Sequence, residues 1–335
     1  MSNSTEMNPN NSESGCFPNA DVVTKVLPTL YSFLFIIGIL LNGLNLWIFF
    51  YLPSNRNFIV YLKNIVIADL LMTLTFPMKI ASDAGFGDWE LRLFVCRYSA
   101  VTFYLNMYIG IIFLGLLGFD RYYKVVRPMN NTSFQNVFYS KVVSVLVWAL
   151  MAFISVPNMI LTDQQTSEKA KTTCAGLKSD LGIQWHKATT YISLSIFVVV
   201  FSLLVIFYMS ITRTIYQSRQ KVRRGSNASK KSTRNIYLIL FVFCVCFVPY
   251  HLCRIPYTLS QTASKNYSCQ QKNTLFYVKE VTLLLSAANV CLDPVIYFFM
   301  CQPFRQMLCN KLHIKDKLQE TERTCKLSTS QPGLI

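Results

Sequence analysis

Seven stretches of this chain, roughly residues 27–51, 58–81, 93–126, 140–161, 186–216, 234–261 and 273–300, are predominantly apolar over the length of a bilayer crossing. A membrane helix needs about 20 such residues. In lipid every backbone amide and carbonyl must be paired within the protein, which leaves helices as the solution for stretches of this length. The expected fold is an all-α membrane protein, a seven-transmembrane helix bundle. Composition agrees, since 52% of the 335 residues are hydrophobic and only 14% charged, a balance foreign to soluble domains.

Seven crossings put the two ends on opposite sides, and basic residues near span ends mark the cytoplasm. Between Arg213 and Arg234 there are eight basic residues and no acidic one. Arg56, Lys124, Arg127, Lys141, Arg305 and Lys311 fall on the same side, whereas Asp83, Asp88 and Glu90 fall on the other. The expectation is a multi-pass plasma-membrane protein with residues 1–26 as an extracellular tail. Residues 27–301 form the membrane domain, and 302–335 a short amphipathic helix and cytoplasmic tail. The net charge of +16 is then a topological signal, with attraction to anionic inner-leaflet lipid, and a nucleic-acid partner is not expected. The first 26 residues contain no apolar core before a small-residue cleavage site, so the first span is expected to act as its own insertion signal. Glycosylation triplets at Asn3, Asn10 and Asn266 fall outside; those at Asn130, Asn131 and Asn227 fall inside and are expected to be silent.

Depth sorts the eleven cysteines. Cys16, Cys96, Cys174 and Cys269 lie in or beside outer segments, where disulfides persist, and four cysteines allow three connectivities. Cys244, Cys246, Cys253 and Cys291 sit within spans as small apolar packing residues. Cys309, in the short segment after the last span, is a palmitoylation candidate.

No phosphate-binding loop, zinc helix or nucleophile elbow is present, and His186, His251 and His313 are too scattered for a metal site. An enzyme, a metal and a cofactor are therefore not expected. The absence of a half-to-half repeat with broken helices weakens a transporter reading.

The seventh stretch carries Lys279, Thr282, Ser286, Asn289, Asp293 and Tyr297 at spacings of three and four, which places them on one helical face. Such a stripe is too costly to turn toward lipid and marks function. Further polar punctuation occurs at Asn42, Asp69, Asp120-Arg121-Tyr122, Trp148, Phe247 with Pro249, and Asp293-Pro294 with Tyr297. Together these resemble the signature set of rhodopsin-like G-protein-coupled receptors, over a region from about Leu27 to Leu312. Phe247 and Asp293 stand where most of that superfamily has Trp and Asn, and both resemble the purinergic nucleotide-receptor branch. Tyr250-His251, Arg254 to Tyr257, Lys279-Glu280 and Phe103-Tyr104 with Tyr108 look like its Gi-coupled subgroup for ADP or UDP-sugars. The segments Leu283 to Pro294, Cys301 to Arg305 and Lys311 to Ile314 look closest to members that recognise UDP-glucose.

The resemblance implies a Cys96–Cys174 disulfide, an extracellular nucleotide or nucleotide sugar as ligand, and a Gi-type heterotrimeric G protein as partner. ADP is the alternative ligand, and an ion-coupled transporter using Asp69 and Asp293 is the alternative class. Helical spacing places His251, Arg254, Tyr257 and Gln261 on one wall. Arg254 would grip phosphate with its planar fork and Lys279 would act as a point charge, the two expected as unpaired cations. Tyr104 and Tyr108, one turn apart, offer faces for a base to stack on. The resemblance adds Lys79, Asn158, Cys174, His186, Lys187 and Glu280, although Lys79 and Lys187 also read as snorkelling lysines and Glu280 as a partner for a neighbouring cation. Thr190 replaces an expected Asn, which puts one polar contact in doubt.

Deeper in the bundle Asp69 and Asp293, with Asn42 and Asn289 beside them, cannot both stay ionised without a counter-ion. Gly110 stands where the superfamily usually has a Ser ligand for sodium, so a conformational switch is the expected role. Pro249 would hinge the sixth helix, and release of Arg121 from Asp120 would open the G-protein pocket.

Overall fold

The computed structural model describes residues 19–127, 136–162, 174, 176–221, 227–262 and 267–311. Seven helices are long and apolar enough to span a bilayer. They are α1 (Val22–Tyr51), α2 (Asn57–Asp83), α3 (Trp89–Val126), α4 (Val137–Ile160), α5 (Asp180–Gln217), α6 (Tyr237–Ser260) and α7 (Cys269–Phe299). A short α8 (Gln302–Lys311) follows. The antiparallel bridge between Thr162 and Lys178 is the one extended pairing among the described residues.

The helices exceed the apolar windows mainly at the end of the bundle that carries Arg254. There α5 begins at Asp180, with the Ser179 hydroxyl accepting the Gly182 N–H at 3.0 Å, and α7 begins behind a reciprocal Ser268–Gln271 capping box. Capping residues are polar, so a hydropathy window stops short of them. Expectation also missed a break in α7 between Ala287 and Asn289.

Two faces of these helices are apolar for different reasons. Phe50, Leu252 and Phe153 are among the most exposed side chains, which suits a lipid-facing surface. Inside, Phe197, Phe201 and Phe243 lie nearly parallel with centroids 5.7–5.9 Å apart, and His251 stacks on Phe197 at 3.8 Å. These rings join α5 to α6 at mid-depth.

Polar side chains link the helices, in one place where proline has freed a carbonyl. Pro294 has no N–H to give Val290, and the Val290 carbonyl instead accepts from Asn42 Nδ2 at 2.7 Å, tying α1 to α7. Near Pro249 the Cys246 carbonyl accepts the Ser286 hydroxyl at 2.7 Å, tying α7 to α6. Trp148 Nε1 donates to Asn64 Oδ1 at 2.9 Å, and Asn64 Nδ2 reaches the Ser144 hydroxyl at 3.2 Å, so α4 is held to α2.

Where α1 crosses α2 and α7, Gly38 leaves no room. A Cβ there would stand 3.0 Å from Val290 Cγ2 and 3.2 Å from Thr73. Gly38→Val should therefore cost about 1–3 kcal/mol of overpacking and lower the apparent melting temperature of the detergent-solubilised chain. A melting curve superimposing on that of the parent would contradict this packing.

Candidate functional site

The end of the bundle opposite Arg121 gathers charge that the interior of a membrane protein does not tolerate without purpose. On α6, Arg254 lies with its guanidinium 4.5 Å from the centroid of Tyr104 on α3 and 5.5 Å from that of Tyr250, and it donates to the Tyr250 hydroxyl. The two rings are roughly parallel, 6.1 Å apart. Tyrosine faces and a phenol oxygen satisfy the cation without neutralising it. Among the described residues Arg254 has no carboxylate partner.

Lys279 differs from the expectation of two unpaired cations. Its ammonium pairs with Glu280 and sits 5.0 Å above the Tyr257 ring. Glu280 also faces Lys79 at 3.5 Å, and Lys79 bonds Asp83 at 2.7 Å and lies 5.0 Å over Tyr31. Adjacent residues usually diverge on a helix, but these long side chains fold back to one spot. Three cations thus face two carboxylates, and the uncompensated positive charge is that of Arg254. Lys79 does not snorkel outward but belongs to this chain of charges.

Other expected wall residues take structural positions. Tyr108 is buried, with its hydroxyl 3.0 Å from His251 Nε2 and its ring edge-on to the imidazole. His251 Nδ1 lies 2.7 Å from the Phe247 carbonyl. Neither Tyr108 nor His251 offers an open face, and that of Tyr104 is covered by Arg254. Thr190 donates its hydroxyl to the His186 carbonyl at 2.8 Å, which consumes the polar contact already in doubt. Lys187 is half-buried with no ion pair among the described residues. The side chain of Gln261 lies outside them, as do Cys16, Asn3, Asn10 and Asn266.

Sequence reasoning missed Lys178. It is 8% exposed and donates to the Thr162 hydroxyl at 3.0 Å and to Asn158 Oδ1 at 3.4 Å, while Asn158 Nδ2 reaches Thr189 at 3.4 Å. Burial pulls its ammonium down to about 8. The missed signal is its position four residues after Cys174, which is disulfide-bonded to Cys96 with the Cα atoms 5.3 Å apart. That bond draws the segment over α3. Cys269 is disulfide-bonded too.

At mid-depth Asp69 accepts from Asn289 Nδ2 at 3.4 Å and from the Tyr297 hydroxyl at 3.2 Å, while Asp293 is fully buried and neither of its oxygens meets a donor. Asp69 and Asp293 stand within interaction distance of each other. A Cβ on Gly110 would meet nothing within 4 Å.

At the Arg121 end, Asp120 pairs with Lys124 at 2.8 Å, one helical turn on, rather than with Arg121. Arg121 turns away and lies 4.7 Å over Phe58. The expected Asp120–Arg121 pair is thus corrected: i,i+4 side chains face each other on a helix and neighbours do not.

A seven-helix bundle with a disulfide from α3 to the segment between α4 and α5, a buried acid layer and a charged chamber at one end describes a membrane receptor. The family model described as 7 transmembrane receptor (rhodopsin family) matches residues 41–297, and the chain belongs to that family. More particularly, it is 56% identical over 326 residues to purinoceptor 14 of Bos taurus, covering 97% of this chain and 96% of that protein. It is 47% identical to G-protein coupled receptor 87 of Mus musculus over 88% of this chain and 82% of that one. With purinoceptor 13 of Homo sapiens the identity is 43%, over 91% and 86% respectively. The chain is a receptor and not an enzyme, and the ion-relay transporter reading is overturned.

Proposed function

We propose that the chain is a plasma-membrane receptor, N-terminus outside, that senses an extracellular nucleotide sugar of the UDP-glucose type and signals through a Gi-type G protein. The observation that carries this reading is Arg254, a cation held between Tyr104 and Tyr250 with no counter-charge among the described residues. A diphosphate supplies that charge. Its second binding partner is Lys279, which must first loosen its hold on Glu280. Glu280 stays in place through Lys79 and becomes an acceptor for hydroxyl donors, which a hexose has and the bare diphosphate end of ADP lacks. Similarity to purinoceptor 14 supports the UDP-sugar reading; similarity to purinoceptor 13 keeps ADP as the second.

Binding shifts the receptor only by its differential affinity for two states. Arg254 sits one turn beyond Tyr250, which follows Pro249, so drawing Arg254 toward α7 loads the hinge of α6 directly. The Ser286–Cys246 bond carries the motion to the acid layer of Asp69, Asn289, Asp293 and Tyr297. At the inner end, Arg121 would leave Phe58, not Asp120, to receive the C-terminal helix of the G protein. Cys309, free and half-buried on α8, is the proposed acylation point.

The test is a GTP-exchange assay with reconstituted Gi comparing ADP, UDP and UDP-glucose on the full chain. UDP-glucose is expected to be the most potent. Greater potency of ADP would move the assignment to the second reading, and no nucleotide response would remove both.

A further inference from the structure

We propose that Tyr31 on α1 is a further specificity-determining residue, its hydroxyl donating a hydrogen bond to a hexose hydroxyl of the bound nucleotide sugar. The inference rests on the UDP-sugar reading above and adds to it a residue that neither helical spacing nor the charged motifs single out. Tyr31 is fully buried, and its hydroxyl meets no hydrogen-bond partner. A buried donor left unmade costs free energy, and phenylalanine would fill the same space without that cost. The rings beside it are indeed phenylalanines. Phe76 on α2 meets Tyr31 edge-on at 5.5 Å and itself lies 6.2 Å from Phe103 on α3. Two other phenols of the chamber are engaged, that of Tyr108 by His251 and that of Tyr250 by Arg254. Tyr31 thus carries a donor that the packing does not use.

Its surroundings indicate what uses it. The Lys79 ammonium lies 5.0 Å over the Tyr31 ring and faces Glu280 at 3.5 Å, and the phenol stands within interaction distance of Glu280, Lys279 and Tyr104. A ligand whose diphosphate spans Arg254 and Lys279 carries its terminal group toward Glu280 and Tyr31. A sugar hydroxyl both donates and accepts, so it gives its proton to the Glu280 carboxylate and takes that of Tyr31. An ionised terminal phosphate only accepts. It satisfies Tyr31, but the Glu280 carboxylate repels it. Donor on α1 and acceptor on α7 together select a hydroxyl over a phosphate oxygen, which places the hexose between α1, α2 and α7.

The experiment measures GTP exchange by reconstituted Gi with the full chain in nanodiscs, titrating UDP-glucose and UDP on the parent and on Tyr31→Phe, which removes the hydroxyl and keeps the ring. The preference for UDP-glucose over UDP should narrow about three- to tenfold, the worth of one neutral hydrogen bond. Without nucleotide the apparent melting temperature of the variant should not fall, because the free receptor makes no bond through that oxygen. A set of UDP-glucose analogues, each with one sugar hydroxyl replaced by hydrogen, identifies the contact. The analogue lacking the contacted hydroxyl should be weaker on the parent, and Tyr31→Phe should weaken it no further. A parent blind to UDP-glucose would overturn the UDP-sugar reading and this inference with it. A parent that prefers UDP-glucose, beside a variant whose preference is unchanged, would overturn this inference alone. So would a variant that folds less stably than the parent, since the hydroxyl would then serve the packing, or one that weakens every analogue equally.

Discussion

Arg254→Ala should raise the half-maximal nucleotide concentration for GTP exchange by roughly 30-fold or more. Truncating one partner of a desolvated, hydrogen-bonded charge pair costs about 2–5 kcal/mol, and 1.4 kcal/mol is a factor of ten. The substitution removes a cation that has no carboxylate partner among the described residues, and it also leaves Tyr104 and Tyr250 without the group packed between them. Arg254→Lys separates these two contributions. Lysine keeps the charge but not the planar fork or the stacking, so it should recover only part of the potency. Unchanged potency in Arg254→Ala at matched surface expression would remove the anion site from α6. Equal rescue by Lys would mean that charge alone matters there.

How much of this chamber could be read in advance follows from the range of the interactions. Spans, their order and the buried face of α7 depend on periodicity within one helix, and Thr282, Ser286, Asn289, Asp293 and Tyr297 are indeed buried on one face. Partners across helices depend on side-chain reach, which spacing does not encode. Glu280 meets its sequence neighbour Lys279 and also Lys79, 201 positions away. The faces of Tyr104 and Tyr108 are engaged for the same reason, since Arg254 and His251 arrive from α6 to meet them. Lys178 was missed because it lies outside every span, and the disulfide at Cys174 and the bridge to Thr162, both long-range pairings, hold it inward. The Asp120–Lys124 pair was legible, because its i,i+4 spacing is a property of one helix, yet the more conspicuous neighbour Arg121 drew the assignment.

Glu280→Gln should split stability from ligand response. Glu280 is 5% exposed and neutralises Lys279 while facing Lys79. Removing its charge leaves Lys279 unpaired within a span. Breaking a buried pair in this way costs about 3–5 kcal/mol, and the lower end applies because the lysine side chains retain 12% and 21% exposure. The apparent melting temperature should therefore fall. Lys279→Met combined with Glu280→Gln should recover most of the loss, because the orphaned charge goes with it, and the double-mutant cycle isolates the coupling. Ligand response should move the other way. With Glu280 uncharged, Lys279 need not be released before it meets phosphate, so the half-maximal concentration of UDP should drop. UDP-glucose gains less, because its sugar hydroxyls lose a charged acceptor, and the preference for UDP-glucose over UDP should narrow. In the double variant both nucleotides should weaken. A fall in stability with UDP and UDP-glucose potency unchanged would leave Glu280 a structural counter-ion and locate the sugar contacts elsewhere in the chamber.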